Sequence, residues 1–212
     1  MLIKQPLSLL ACVLMCGSLL GGCDAKPEQA ALANDAQVVA LGDSLTYGYG
    51  ATPETAYPAV LDEMTQWRIH NAGVNGNTSA DVLARLDDII ATKPDLVLLG
   101  VGGNDVLQRI QPATTKANII QIIQRLKAAN IPVVLIAEPH FSSSALFGRA
   151  SDNPIYEDIA DSEDVPLFAD GWSKILSDDS LKSDQIHANA QGYQQFAENL
   201  HEFLQQQGYA KK

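Results

Sequence analysis

Val38-Val39-Ala40-Leu41-Gly42-Asp43-Ser44-Leu45 is an apolar run that stops abruptly in a tight polar turn. Such a run, closed by Gly-Asp-Ser, reads as a buried strand that leaves a serine exposed at the carboxyl edge of a sheet. Four more strand candidates follow: Ile69 to Ala72, Leu96 to Val101, Ile131 to Ala137 and Val165 to Phe168. Between and after them the spacing turns helical. Val82, Leu83, Leu86, Ile89 and Ile90 predict one helical stripe, and Ile119, Ile120, Ile123 and Leu126 a second. Tyr193, Phe196, Ala197, Leu200 and Phe203 predict a third. Strands this apolar, alternating with helices, predict an α/β chain whose parallel sheet is covered on both faces. The site of such a sheet lies at the carboxyl ends of its strands.

Three segments fall where that rule puts them. Ser44 ends the first strand. Asn71-Ala72-Gly73-Val74-Asn75-Gly76-Asn77-Thr78 runs out of the second, and Gly102-Gly103-Asn104-Asp105 follows the third. Asp184-Gln185-Ile186-His187 precedes the last helix and supplies a base and a carboxylate three residues apart. A serine hydroxyl is a weak nucleophile until a base takes its proton, and a third group holds that base in the right tautomer. Ser44, His187 and Asp184 are the residues for those roles. Acyl transfer also needs donors aimed at the oxygen that becomes negative. The Ser44 N–H, the Gly76 N–H and the Asn104 amide are the candidates, with Gly73 the alternative if the turn lies one register earlier. Each residue also has an ordinary role: Ser44 in a turn or cap, His187 and Asp184 at a helix start, Gly-Gly-Asn-Asp in a turn. Their joint presence favours the chemical reading, that of a serine hydrolase.

With those blocks in hand, the chain resembles the GDSL or SGNH hydrolase family. The matching residues are Ser44 in Gly-Asp-Ser-Leu, Gly76 in Gly-Val-Asn-Gly-Asn-Thr-Ser, Asn104 in Gly-Gly-Asn-Asp, and His187 with Asp184. They stand in the family's order. Stretches such as Ala56-Tyr57-Pro58-Ala59-Val60-Leu61 and Gln111-Pro112-Ala113 are similar to its bacterial branch of arylesterases and the periplasmic lysophospholipase/acyl-CoA thioesterase. The resemblance implies a three-layer α/β/α fold with a mainly parallel, flavodoxin-like five-stranded sheet. It implies hydrolysis of aryl, short-to-medium acyl and lysophospholipid esters or acyl thioesters, with no cofactor and no metal. The same machinery serves carbohydrate O-deacetylases, and a non-catalytic lipid-binding envelope lipoprotein on the same fold is the rival from another class.

The amino end has a different logic. Lys4 precedes an apolar run from Pro6 to Leu20, short for the roughly 20 residues that a membrane-spanning helix needs. It ends in Leu20-Gly21-Gly22-Cys23, which resembles a lipobox. Residues 1–22 are therefore expected to be a lipoprotein signal, 23–36 a lipidated Cys23 with a polar tether, and 37–212 the hydrolase domain. An ordinary signal peptide is the plainer alternative. Several acyl chains on Cys23 would anchor stably, which places the domain in the bacterial cell envelope, facing the periplasm. Asp24 leans towards the inner membrane. Cys12, Cys16 and Cys23 are the only cysteines, so the domain has neither disulfides nor a thiolate metal site.

Acidic residues outnumber basic ones 25 to 14, against a nucleic-acid partner. Anionic headgroups would repel such a surface, leaving membrane residence to the lipid. The expected partner is a small ester or lipid substrate, bound by a monomer. No His-Glu-x-x-His, Gly-x-Ser-x-Gly elbow or P-loop occurs, and Gly48-Tyr49-Gly50 lacks the third glycine of a dinucleotide fingerprint. Leu107, Phe141, Leu146 and Phe147 are candidates to wall an acyl or aryl pocket, and a mobile lid with no specificity role is the alternative for the loop from Phe141 to Ala150. His140 is a candidate for a minor substrate role, and His70 and His201 for none.

Overall fold

The computed structural model describes residues 30–140 and 150–211. Five strands, β1 (Gln37–Gly42), β2 (Arg68–Gly73), β3 (Leu96–Gly100), β4 (Val133–Ile136) and β5 (Leu167–Phe168), form one sheet in the order β2-β1-β3-β4-β5. Every neighbouring pair is parallel, with β1 at Gly42 level with both Gly73 and Gly100. This is the flavodoxin-like order, with its switch point at the end of β1.

Strand side chains alternate between two cores. Val38, Ala40, Leu96, Leu98, Val134 and Ile136 face one layer of helices. That layer holds α2 (Tyr57–Thr65), α8 (Gly171–Leu176) and α9 (Ala190–Gln206), where Trp172 stacks on Phe196 with ring centroids 3.5 Å apart. Val39, Leu41, Val97, Leu99, Val133 and Leu135 face the other layer. There lie α3 (Ser79–Ala84), α4 (Leu86–Ala91), α6 (Pro112–Ala128) and α7 (Ile155–Glu163). Two short helices, α1 (Ser44–Tyr47) and α5 (Gly103–Leu107), sit directly at the ends of β1 and β3.

Local sequence explains the helix starts. Pro112 opens α6, where its missing N–H has no cost, and Asn189 caps α9 through the Gly192 N–H at 3.0 Å. Thr78 and Asp81 form a capping box at α3. The single helix expected over Val82 to Ile90 is two, broken at Arg85. Arg85 turns inward, bonding the Gly42 carbonyl and Asn77 Oδ1, both at 2.9 Å, so it secures the end of β1 instead of continuing the helix. Gly73 lets β2 meet α1: a Cβ there would stand 2.1 Å from the Tyr47 nitrogen.

The chain is tied to the domain from Leu32, whose N–H donates to the Tyr209 carbonyl at 2.9 Å, and Ala36 is buried. Among the described residues no helix is long and apolar enough to cross a membrane. The expected signal, Cys23, and the pocket candidates Phe141, Leu146 and Phe147 lie outside the described residues.

Candidate active site

Ser44 is the first residue of α1, and its N–H therefore has no helical acceptor. Asp43 caps the turn by accepting the Leu45 N–H at 3.0 Å. His187 arrives from the far end of the chain on a loop stitched before α9. The Ser183 N–H donates to the His187 carbonyl at 3.0 Å, and the Asn189 amide reaches the carbonyls of Ser180 and Lys182. The Asp184 carboxylate folds back over this loop, accepting the N–H groups of Ile186 and His187, both at 2.8 Å.

The same carboxylate meets the imidazole. Nδ1 lies 2.8 Å from Oδ2 and 3.0 Å from Oδ1, while Nε2 lies 3.0 Å from Ser44 Oγ. Burial alone would raise the Asp184 carboxyl, but the Ile186 N–H and the His187 ring outweigh it and hold it below the usual carboxylate range. Tyr49 lays its ring against the imidazole, centroids 4.4 Å apart. An imidazole held on one side by a carboxylate and touching a hydroxyl on the other can take that hydroxyl's proton.

The donors converge less uniformly. Gly76 is the third residue of a turn closed by the Asn77 N–H on the Val74 carbonyl, with φ +80°. Among the described residues nothing accepts from its N–H. Gly73, the alternative, has its N–H taken by Asn71 Oδ1 at 2.9 Å. The Asn104 amide lines the same cleft as Ser44 and His187. Its nitrogen already donates to the Asn77 carbonyl at 3.0 Å and to Asp43 Oδ2 at 3.2 Å. An oxyanion would share the hydrogen of the longer bond.

Beneath the turn lie three buried carboxyls. Asp105 is fully paired, accepting from the N–H and hydroxyl of Ser79 and the hydroxyl of Thr115. Glu138, just past β4, accepts the Gly103 N–H through Oε2 at 2.6 Å. Among the described residues its buried Oε1 meets no donor, and the carboxyl lies against that of Asp43. Burial pushes Asp43 up to about 7, with opposing bonds from Leu45, Glu138 and Asn104. Burial, and then the Asp43 charge, hold Glu138 well above the usual range.

The structure thus gathers Ser44, Asp184, His187 and Asn104 as the sequence placed them. The described wall of the cleft is Leu45, Leu107 and Ile186, with Leu107 about half exposed. His140 is exposed and pairs its backbone N–H with Ser151. No group of acidic, His or Cys side chains suited to a metal occurs among the described residues. Sequence reasoning missed Tyr49, Ile186 and the Asp43–Glu138 contact. For Glu138 the available signal was a carboxylate immediately ending a buried strand.

The sequence profile of the GDSL-like Lipase/Acylhydrolase family matches residues 40–195. The chain is 35% identical over 156 residues to thioesterase 1/protease 1/lysophospholipase L1 of Escherichia coli K12, spanning 70% of this chain and 74% of that one. It is 29% identical over 196 residues to esterase TesA of Pseudomonas aeruginosa, spanning 86% and 94%. A crystal structure of TesA superposes with a TM-score of 0.70 at 26% identity, over 81% of this chain and 99% of that one.

Proposed function

On the premise that the chain belongs to the GDSL-like lipase/acylhydrolase family and is a GDSL-type serine esterase, we propose a Ser-His-Asp acyl-enzyme mechanism. His187, oriented by Asp184, removes the Ser44 proton as Oγ attacks the ester carbonyl. The Ser44 N–H, Gly76 N–H and Asn104 amide take up the oxyanion. His187 then protonates the leaving alcohol or thiol, and water clears the acyl group by the same route. The observation that supports this most is the unbroken contact from Asp184 through both ring nitrogens of His187 to Ser44 Oγ.

The substrates proposed are aryl and short-to-medium acyl esters, with lysophospholipids and acyl thioesters included. The names of the relatives and the apolar wall of Leu45, Leu107 and Ile186 speak for them. Phe141, Leu146 and Phe147 extend that wall in this reading. Residues 1–22 act as the signal, Cys23 as the lipid attachment site on the envelope, and residues 37–212 as a monomeric catalytic domain.

Fluorophosphonate labelling of residues 24–212, beside Ser44→Ala, tests the mechanism. Labelling confined to the parent chain is expected, and equal labelling of both would remove Ser44 from the reaction. Turnover of p-nitrophenyl acetate against octanoate sizes the acyl site.

A further inference from the structure

We propose that Glu138 is a positioning residue of the oxyanion site: it shares one proton with Asp43, and loss of that proton closes the active pH range on its alkaline side. The inference rests on the Ser44 reading above and concerns residues outside its relay.

The geometry is specific. Glu138 and Asp43 are 1% and 2% exposed, and their carboxyls face each other. One oxygen of Glu138 holds the Gly103 N–H, next to Asn104. One oxygen of Asp43 holds the Leu45 N–H, next to Ser44, and the other the Asn104 amide. The pair therefore clamps the turn that carries the nucleophile to the turn that carries an oxyanion donor. Among the described residues the four carboxyl oxygens meet only these three donors, and Glu138 Oε1 is left buried with none. An unpaired buried oxygen is costly, because it gives up its bonds to water and gains none in return. A proton on Oε1, donated to Asp43, removes that cost and the repulsion of two adjacent buried anions.

The surroundings do not supply a substitute cation. Asp105 on α5 faces both carboxyls. Tyr57 on α2 and Tyr156 on α7 face both carboxyls, Tyr193 on α9 faces Asp43, and burial holds each phenol above its usual range. Arg85 binds the Gly42 carbonyl, and among the described residues no lysine or arginine pairs with either carboxyl. Burial pushes both carboxyls up. As pH rises, the shared proton passes to solvent hydroxide and leaves two charges beside the place where the oxyanion forms. That spreads the two turns and weakens oxyanion binding together.

The test compares parent, Glu138→Gln and Glu138→Ala for kcat and KM on p-nitrophenyl acetate from pH 6 to 9.5. Rates are corrected for spontaneous hydrolysis and for active sites counted by fluorophosphonate. Glutamine reproduces the protonated acid, donating to Asp43 and accepting from Gly103, but it cannot lose the proton. The expected result is an alkaline fall in kcat in the parent that is absent in Glu138→Gln. Glu138→Ala should show kcat at least tenfold below Glu138→Gln, with KM moved less than kcat. An unchanged alkaline fall in Glu138→Gln, or an alanine variant equal to the parent, overturns the proposal.

A second arm needs no activity. In Ser44→Ala chains, thermal unfolding is followed from pH 5 to 9 with and without Glu138→Gln. A shared proton held only by the folded state makes stability fall as pH rises, by up to about tenfold in the folding constant per pH unit and proton. The glutamine variant should lose less. Parallel curves overturn the proposal. If the parent neither labels nor turns over, the Ser44 reading fails, and the unfolding curves still decide the pair.

Discussion

The Asn104 amide nitrogen lies 3.2 Å from Asp43 Oδ2, so the residue before the nucleophile holds the side chain proposed to receive the oxyanion. With the Asn77 carbonyl as its second anchor, the amide is fixed before substrate arrives. Fixed donors are worth most where charge develops, because no reorganisation is needed at that moment.

Asn104→Ala should therefore lower kcat by about 10²–10³ and leave KM nearly unchanged. Steady-state kinetics on p-nitrophenyl acetate checks this, and an unaltered kcat removes Asn104 from the oxyanion site.

Asp184 accepts three groups from its own loop, so its removal should weaken both the tautomer and the loop. A fully buried acid in this role is worth about 10⁴ in kcat. The Asp184 side chain is 44% exposed and water can replace part of it, so Asp184→Asn should cost more than tenfold but less than that.

The same carboxylate predicts an acid dependence. Its folded pKa is lowered against burial by the Ile186 N–H and the His187 ring. Its stabilisation is then present above the unfolded value, about 3.9, and is lost as pH falls through the folded one. The Tm gap between the parent and Asp184→Asn should shrink from pH 7 to pH 3, and a gap independent of pH would contradict the sign.

Gly76 separates backbone conformation from crowding. A Cβ there meets nothing within 4 Å, so Gly76→Ala carries only the left-handed φ, about 1–2 kcal/mol. Asparagine tolerates that region better. Gly76→Asn should keep more stability and more kcat than Gly76→Ala, measured by denaturant unfolding and turnover.

Tyr49 packs its ring against the imidazole proposed as the base. An aromatic contact of this kind contributes about 0.5–1.5 kcal/mol, so Tyr49→Leu should cut kcat by roughly 2- to 12-fold, a factor of ten being about 1.4 kcal/mol. Tyr49→Phe should sit near the parent, and a phenylalanine variant as slow as leucine would shift the role to the hydroxyl.

The relay and the sheet were legible because each of their parts is local. Ser44 and Asn104 stand where an apolar run breaks into turn residues, and Asp184 reaches His187 within one loop. The covered parallel sheet followed from the alternation of continuous apolar runs with helical spacing, and its flavodoxin-like form from the family resemblance. What escaped was set by distant partners. Arg85 breaks a helical stripe only because the end of β1 lies within reach, which spacing alone does not reveal. Glu138, ending the run from Ile131, looks like a polar strand terminus until Gly103 and Asp43 close over it. The short stripes of α7 and α8, Tyr156-Ile159-Ala160 and Trp172-Ile175-Leu176, are two turns or less and give periodicity little to act on.

The hydroxyl of Ser44 and the imidazole that touches it are separated by 143 positions of chain. A ribosome makes the proposed nucleophile early and its proposed base late. Until then the growing polypeptide carries a serine without that imidazole, and the loop from Ser183 to Asn189 has to dock beside it before the proposed relay exists. On the proposed mechanism, hydrolytic power arrives in a single late step. A chain interrupted anywhere before His187 should be silent towards the esters around it.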